Sequence, residues 1–210
     1  MTAHAHRTTR CHPRSVPRRP AGPPWRHLRR AGGTALLLSV LWGGAGAVQA
    51  QVTEGVDWSL SAAAAADAGV RKLGLIAGWT QAAPLWQGTQ WRLRLRHEIE
   101  LAAWHVPRAR DLVELGYSPV LRLERPLDGA HATLFLEGSI GARLLSRTRV
   151  APQRSLSTAF QFSDMLGVGV QWGTQARSTL GLRYQHVSNL GIKEPNPGMD
   201  FVQVYYTHRF

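Results

Sequence analysis

Residues 91–103 read WRLRLRHEIELAA, and apolar and charged side chains alternate along this stretch. The odd positions are mostly apolar, with Trp91, Leu93, Leu95, Ile99 and Leu101. The even positions between 92 and 100 carry three arginines and two glutamates. Because successive side chains of a β-strand point to opposite faces, this period of two predicts a strand with one apolar and one charged face.

The same alternation recurs through the chain and predicts eight strands. They cover residues 56–66, 70–79, 91–103, 112–124, 131–144, 158–172, 178–188 and 201–210. Such lengths suit a tilted strand that crosses a bilayer, which needs about 9–11 residues. Lipid offers no partner to an unpaired strand edge, so the strands must close on themselves. We therefore predict an all-β fold, an eight-stranded antiparallel transmembrane up-and-down β-barrel.

The two faces of these strands predict the inside and the outside of the barrel. The charged face of residues 91–103 is expected to fill a narrow lumen with ion pairs. Aromatic side chains lie near strand ends on the apolar faces, as interfacial belts require: Trp58, Trp79, Trp91, Trp172 and Tyr206. A soluble barrel or sandwich also alternates, with the apolar face packed inward, and it stays open as an alternative.

Residues 1–50 have the composition of a leader. They contain eight of the 25 basic residues and none of the 13 acidic ones. A short apolar run over residues 31–47 follows Arg26, Arg29 and Arg30, and small residues precede Gln51. This order is typical of a secretory signal peptide that is cleaved after Ala50. We expect a leader at 1–50 and the barrel domain at 51–210.

Removing the leader changes what the composition implies. The remaining 160 residues carry 17 basic and 13 acidic side chains, which argues against a nucleic-acid partner. The single cysteine, Cys11, also lies in the leader. The barrel domain therefore has no disulfide, no cysteine-ligated metal and no cysteine nucleophile.

Loop lengths indicate how the barrel sits in the membrane. Outer-membrane barrels keep short turns in the periplasm and longer loops outside. The connection over residues 145–157 is then external, and its Arg147, Arg149 and Arg154 could bind phosphate groups. The connection over residues 81–90 is longer than this rule predicts for a periplasmic turn.

Three polar residues continue the apolar faces of the last two predicted strands. His186 and Ser188 share the parity of Leu180 and Leu182, and Asp200 shares that of Val202. All three are therefore expected to face lipid at the external rim, where polar groups need an explanation. An acid can orient an imidazole that takes the proton of a serine, which is the chemistry of acyl transfer. Ordinary interfacial polar residues are the alternative.

The run over residues 186–198, HVSNLGIKEPNPG, resembles the H-x-S-N-x-G-[LI]-x-x-P-N-x-G motif of the lipid A 3-O-deacylase family, PagL. The resemblance implies an esterase of the bacterial outer membrane that needs no cofactor and no metal. Its substrate would be lipid A of the lipopolysaccharide in the outer leaflet. It would remove the ester-linked 3-hydroxyacyl chain from position 3. The resemblance also allows a homodimer.

The resemblance assigns roles residue by residue. His186 matches the base and Ser188 the nucleophile of the family. Asp200 stands at the acid position, twelve residues after the serine, where the family usually has glutamate. Asn189 matches a residue associated with the oxyanion hole, and the N–H of Gly191 would assist it. Glu194 is a fallback acid, and residues 195–198 are expected to shape the loop.

Two other functions compete with the deacylase. A non-catalytic eight-stranded barrel would serve envelope structure or adhesion and would make no use of Ser188. An acyltransferase or a phospholipase on the same scaffold would act on a different acceptor or lipid.

Overall fold

The computed structural model describes residues 53–66, 68–129 and 131–209, and the predicted leader lies outside them. It contains eight long strands, at the places that the alternation predicted and with ends that differ by no more than three residues. They are β1 (Thr53–Ala65), β2 (Arg71–Gln81), β3 (Arg92–His105), β4 (Leu112–Leu127), β5 (Ala132–Leu145), β6 (Phe160–Trp172), β7 (Ser178–Ser188) and β8 (Met199–His208).

The strands close into an antiparallel barrel in which each strand pairs with its neighbours in sequence. Strand β1 completes the ring, because it pairs with β2 on one side and with β8 on the other. Leu60, for example, lies between Leu75 of β2 and Tyr206 of β8. The predicted eight-stranded up-and-down barrel is confirmed.

Short elements form within the connections between the long strands. The two-residue strand Trp86–Gln87 pairs with β3 inside the long β2–β3 connection. Strands Arg149–Ala151 and Arg154–Ser155 form a small hairpin in the β5–β6 loop. The 3-10 helix Thr174–Ala176 lies in the β6–β7 turn. None of the helical structure in the described residues has the length and hydropathy of a membrane span.

The apolar face of the strands points outward. Leucine, isoleucine and valine side chains on this face are about half exposed on every strand, such as Leu60, Leu101 and Leu182. The alternate residues point inward and are buried, as the pattern of β3 and β4 shows. An apolar exterior fits lipid rather than water, so the alternative of a soluble barrel is wrong.

The lumen is filled by ion pairs, as the charged face of residues 91–103 predicted. Arg183 donates two hydrogen bonds of 2.9 Å to Glu98 and one of 2.6 Å to Glu137. Arg96 bonds both Glu98, at 2.8 Å, and Asp57, at 2.7 Å. These side chains are almost wholly buried, and each charge has an opposite charge beside it. Pairing of this kind offsets the cost of removing charges from water.

The predicted aromatic residues gather at one end of the barrel. Trp58 pairs with His208, close to the C-terminus, and Trp172 pairs with Ser178 at the start of β7. The rings of Trp172 and Tyr206 are 6.3 Å apart. Because this end also holds the β6–β7 turn, the belt marks the interface opposite the longer loops.

A hydrophobic plug closes the other end of the barrel. Trp104 and Phe201 meet edge to face at 4.7 Å, and both are fully buried. Val150 and Leu156 of the β5–β6 loop fold into the same cluster. The plug fixes the loops above it, and these loops carry the candidate site.

Candidate active site

The ends of β7 and β8 place His186 and Asp200 side by side. The two residues are register partners, and the imidazole Nδ1 is 2.6 Å from Asp200 Oδ1. Their neighbours Val187 and Met199 are buried in the plug. Because side chains alternate along a strand, these buried anchors turn His186 and Asp200 to the outer face. Both side chains remain well over a third exposed there.

Ser188 is the last residue of β7, two positions beyond His186, and its register partner is Phe162 of β6. It is only 7% exposed, which is more covered than the predicted lipid-facing position implies. The period of two predicts the face of a strand residue and not how the loops at the strand end pack. Asn189 and Leu156, from the two loops at this point, are fully buried.

Gly198 lies against the imidazole ring. A Cβ atom at this position would be 2.6 Å from His186 Cε1 and 3.1 Å from Nε2. Its φ of +67° is also in the left-handed region that favours glycine. The sequence pattern predicts only a turn role for this residue. The contact of Gly198 holds the edge of the imidazole that carries Nε2. Asp200 bonds the other ring nitrogen, Nδ1, so Nε2 remains available to accept a proton.

Replacing Gly198 by alanine is expected to lower kcat by about 100-fold, because a displacement of about 1 Å of a catalytic group costs that much. Steady-state kinetics on purified protein checks this result. Gly173→Ala is the matched control, since it has a φ of +87° and open space around its Cβ position. Equal losses in both variants would mean that backbone strain, and not the imidazole contact, explains the effect.

Tyr184 is a second neighbour of the Asp200 carboxylate. It lies on β7 one outward position before His186, and its hydroxyl is close enough to the Asp200 carboxylate to interact with it. The acid therefore has two polar neighbours on the same strand. The sequence pattern places Tyr184 only on the apolar face. The parity that Tyr184 shares with His186 is the signal that could have placed it at the site.

Asn189 and Gly191 hold the loop that follows Ser188. The Asn189 amide nitrogen donates to the carbonyls of Leu156 and Lys193, both at 2.8 Å. Its Oδ1 accepts the N–H of Gly191 at 2.9 Å. The Asn189 N–H in turn donates to Asn196 Oδ1 at 3.1 Å. The resemblance placed Asn189 and Gly191 at an oxyanion hole. In this structure the Asn189 amide, its N–H and the N–H of Gly191 are all used in hydrogen bonds within and between the loops.

Two further carboxylates lie near the site. Asp164 of β6 is the register partner of His186 on the side away from Asp200, and it is exposed. The predicted β6–β7 pairing was the signal that could have found it. Glu194 accepts the N–H of Asn196 at 2.9 Å, so its carboxylate stabilises the β7–β8 loop. In the described part of the chain, no group of three or more His, Cys, Asp or Glu residues could hold a metal ion.

Fold and site together define a class: a membrane β-barrel with a histidine–carboxylate pair and an adjacent serine at the lipid-facing end of two strands. The profile of the family described as lipid A 3-O-deacylase (PagL) matches residues 71–209. The chain therefore belongs to the PagL family of outer-membrane lipid A 3-O-deacylases.

Individual relatives agree with this assignment. The lipid A deacylase PagL of Bordetella bronchiseptica is 38% identical over 124 residues, which are 59% of this chain and 67% of that protein. The lipid A deacylase PagL of Pseudomonas aeruginosa is 33% identical over 92 residues, 44% of this chain and half of that protein. The crystal structure of the outer membrane enzyme PagL superposes with a TM-score of 0.66 at 26% identity. That match covers 73% of this chain and 99% of the other.

Proposed function

We propose that this protein hydrolyses the ester that links a 3-hydroxyacyl chain to position 3 of lipid A. Ser188 acts as nucleophile, His186 as general base and Asp200 as the orienting acid. The observation that carries the proposal is the 2.6 Å bond between His186 Nδ1 and Asp200 on the outer face of a membrane barrel of this family. A lipid ester can reach that face by diffusing within its own leaflet.

In the first half of the reaction, the Ser188 hydroxyl oxygen attacks the ester carbonyl carbon while His186 Nε2 takes the hydroxyl proton. Asp200 accepts a hydrogen bond from Nδ1–H and stabilises the imidazolium that forms. The tetrahedral intermediate collapses when the sugar oxygen leaves and takes the proton from Nε2. The acyl chain is then esterified to Ser188.

In the second half, His186 takes a proton from water, and the resulting hydroxide attacks the acyl carbonyl carbon. Ser188 leaves and recovers its proton from the imidazolium. The products are a free 3-hydroxy fatty acid and lipid A with one chain fewer.

We further propose that the end of the barrel with the longer loops faces the cell exterior. The aromatic belt at the opposite end supports this orientation, as do the cations in the longer loops, Arg108, Arg110, Arg147, Arg149, Arg154 and Lys193. Residues 1–50 would direct export and be removed after Ala50. Sequencing the N-terminus of the mature protein tests that cleavage and is expected to start at Gln51.

Asn189 and Gly191 are assigned to support of the segment after Ser188. Their mutual hydrogen bond and the two bonds from Asn189 to loop carbonyls support this assignment. A fixed segment after Ser188 holds the end of β7, and with it the proposed nucleophile, in a defined position, and correct positioning of reacting groups lowers the barrier.

Removing the Tyr184 hydroxyl is expected to loosen Asp200 without weakening substrate binding. Tyr184→Phe should lower kcat about tenfold with KM unchanged, since one hydrogen bond to a charged group contributes about that much. Steady-state kinetics on detergent-solubilised protein separates the two parameters. The control is Tyr117→Phe, because the Tyr117 hydroxyl bonds His97 on the same outer surface. A rise in KM alone, or no change, would contradict the positioning role.

Product analysis tests the proposed reaction. Purified protein is incubated with lipid A in detergent, and both products are identified by mass spectrometry. We expect a released 3-hydroxy fatty acid and a lipid A that keeps its amide-linked chains. Release of a secondary acyl chain, or of a fatty acid from added phospholipid instead, would reject the position-3 ester as the substrate.

A further inference from the structure

A cleft of about 830 Å³ opens beside the candidate active site at the loop end of the barrel. One wall is the hairpin segment 151–155 of the β5–β6 loop, and the other is the segment 194–197 of the β7–β8 loop. Arg108 reaches the cleft from the β3–β4 loop. Because segment 194–197 lies between Ser188 and Gly198, the cleft and the site share one loop.

The cleft is built on a rigid frame. Ser157 Oγ donates to the Pro195 carbonyl at 2.8 Å, which joins its two walls. Asn189 joins them a second time through its bonds to Leu156 and Lys193. A ligand held here would therefore have a fixed position relative to Ser188.

The charge of this end of the barrel is positive. The described loop residues there include six cations, Arg108, Arg110, Arg147, Arg149, Arg154 and Lys193, against Asp111 and Glu194. Two of the arginines, Arg108 and Arg154, line the cleft itself. The carboxylate of Glu194, which also lines it, accepts a backbone N–H of its own loop.

The backbone of Arg108 also points to a ligand site. Arg108 is exposed, and its φ of 60° lies in the left-handed region that residues other than glycine seldom adopt. Strained backbone positions of this kind concentrate at ligand sites.

We propose that this cleft binds a phosphate group of the substrate headgroup through Arg108 and Arg154, so that the ester is presented to Ser188. This inference rests on the proposed function and names the part of the substrate that the enzyme recognises. Guanidinium groups suit this task, because their planar N–H pairs bind phosphate oxygens bidentately. The phosphate would set the sugar's position while the acyl chains stay in the membrane.

The test compares two substrates, lipid A with its phosphates and lipid A from which a phosphatase has removed them. Arg108→Gln and Arg154→Gln are each expected to raise KM about tenfold on the phosphorylated substrate, with kcat unchanged. On phosphate-free lipid A neither variant should differ from wild type. Arg110→Gln is the matched control, since Arg110 belongs to the same loop as Arg108 and does not line the cleft.

A KM that does not change, or that rises equally on both substrates, would overturn the proposal. Binding of the two lipid A forms to Ser188→Ala protein gives a second readout that needs no turnover. If wild type hydrolyses neither substrate, the proposed function fails. The cleft is then judged by whether Arg108→Gln and Arg154→Gln weaken binding of phosphorylated lipid A alone.

Discussion

Ser188→Ala protein is expected to fold into the same barrel and to lose lipid A hydrolysis by a factor of about 10⁴ to 10⁶ in kcat, because the acyl-enzyme can no longer form. The fold should persist because the change removes one oxygen at a strand end and no member of the ion-paired lumen. Kinetics on purified protein measures the loss, and the mobility shift between unheated and heated samples on gels checks the fold.

Ser178→Ala is the matched control for this prediction. Ser178 begins the same strand at the opposite end of the barrel, where its hydroxyl is 3.3 Å from that of Tyr206. Its replacement should leave kcat within about twofold, as surface substitutions away from special features usually do. Retention of activity in Ser188→Ala would remove the serine from the mechanism and would favour a non-catalytic barrel or a different nucleophile.

Arg183→Met is expected to destabilise the barrel by about 3–5 kcal/mol, because it removes one of the two arginines that pair with each of the buried carboxylates Glu98 and Glu137. Arg183 is 2% exposed and bonds both Glu98 and Glu137. Its guanidinium also lies 3.9 Å from the centre of the Tyr205 ring, so packing is lost as well. Urea unfolding in detergent micelles measures the free energy of unfolding.

Arg92→Met tests whether burial of an ion pair, and not the loss of a charge alone, sets the loss of stability. Arg92 also forms an ion pair, with Glu124 at 2.6 Å, but a third of its side chain is exposed at the barrel end. An exposed pair contributes about 1 kcal/mol or less, so the change should be small. If both variants lost the same stability, the interior network would not be the element that holds the lumen together.

The sequence predicted the barrel well because one physical rule governs every strand. Lipid outside and ion pairs inside impose the same period of two on β1 to β8, so each strand can be found without its neighbours. The closeness of His186 and Asp200 was expected because both lie on the outer face at the same ends of two strands that follow each other in sequence. Ends of strands differed by a few residues, since capping depends on the loops.

Other parts of the site depend on contacts between segments far apart in sequence. Ser188 lies beside Asn189, whose amide bonds the Leu156 carbonyl of the β5–β6 loop, and no local pattern encodes that packing. The proximity of Tyr184 to Asp200 and the contact of Gly198 with His186 arise from side-chain placement across a strand pair. Asp164 needed the pairing of β6 with β7 before its position beside His186 could be noticed.

The most direct test of the account is mass spectrometry of lipid A from a Gram-negative host that expresses wild-type protein or Ser188→Ala. The account predicts that lipid A loses one 3-hydroxyacyl group with wild type and stays intact with the variant. Two results would contradict it. One is unchanged lipid A with both proteins folded in the outer membrane, and the other is the same loss of the acyl group with both.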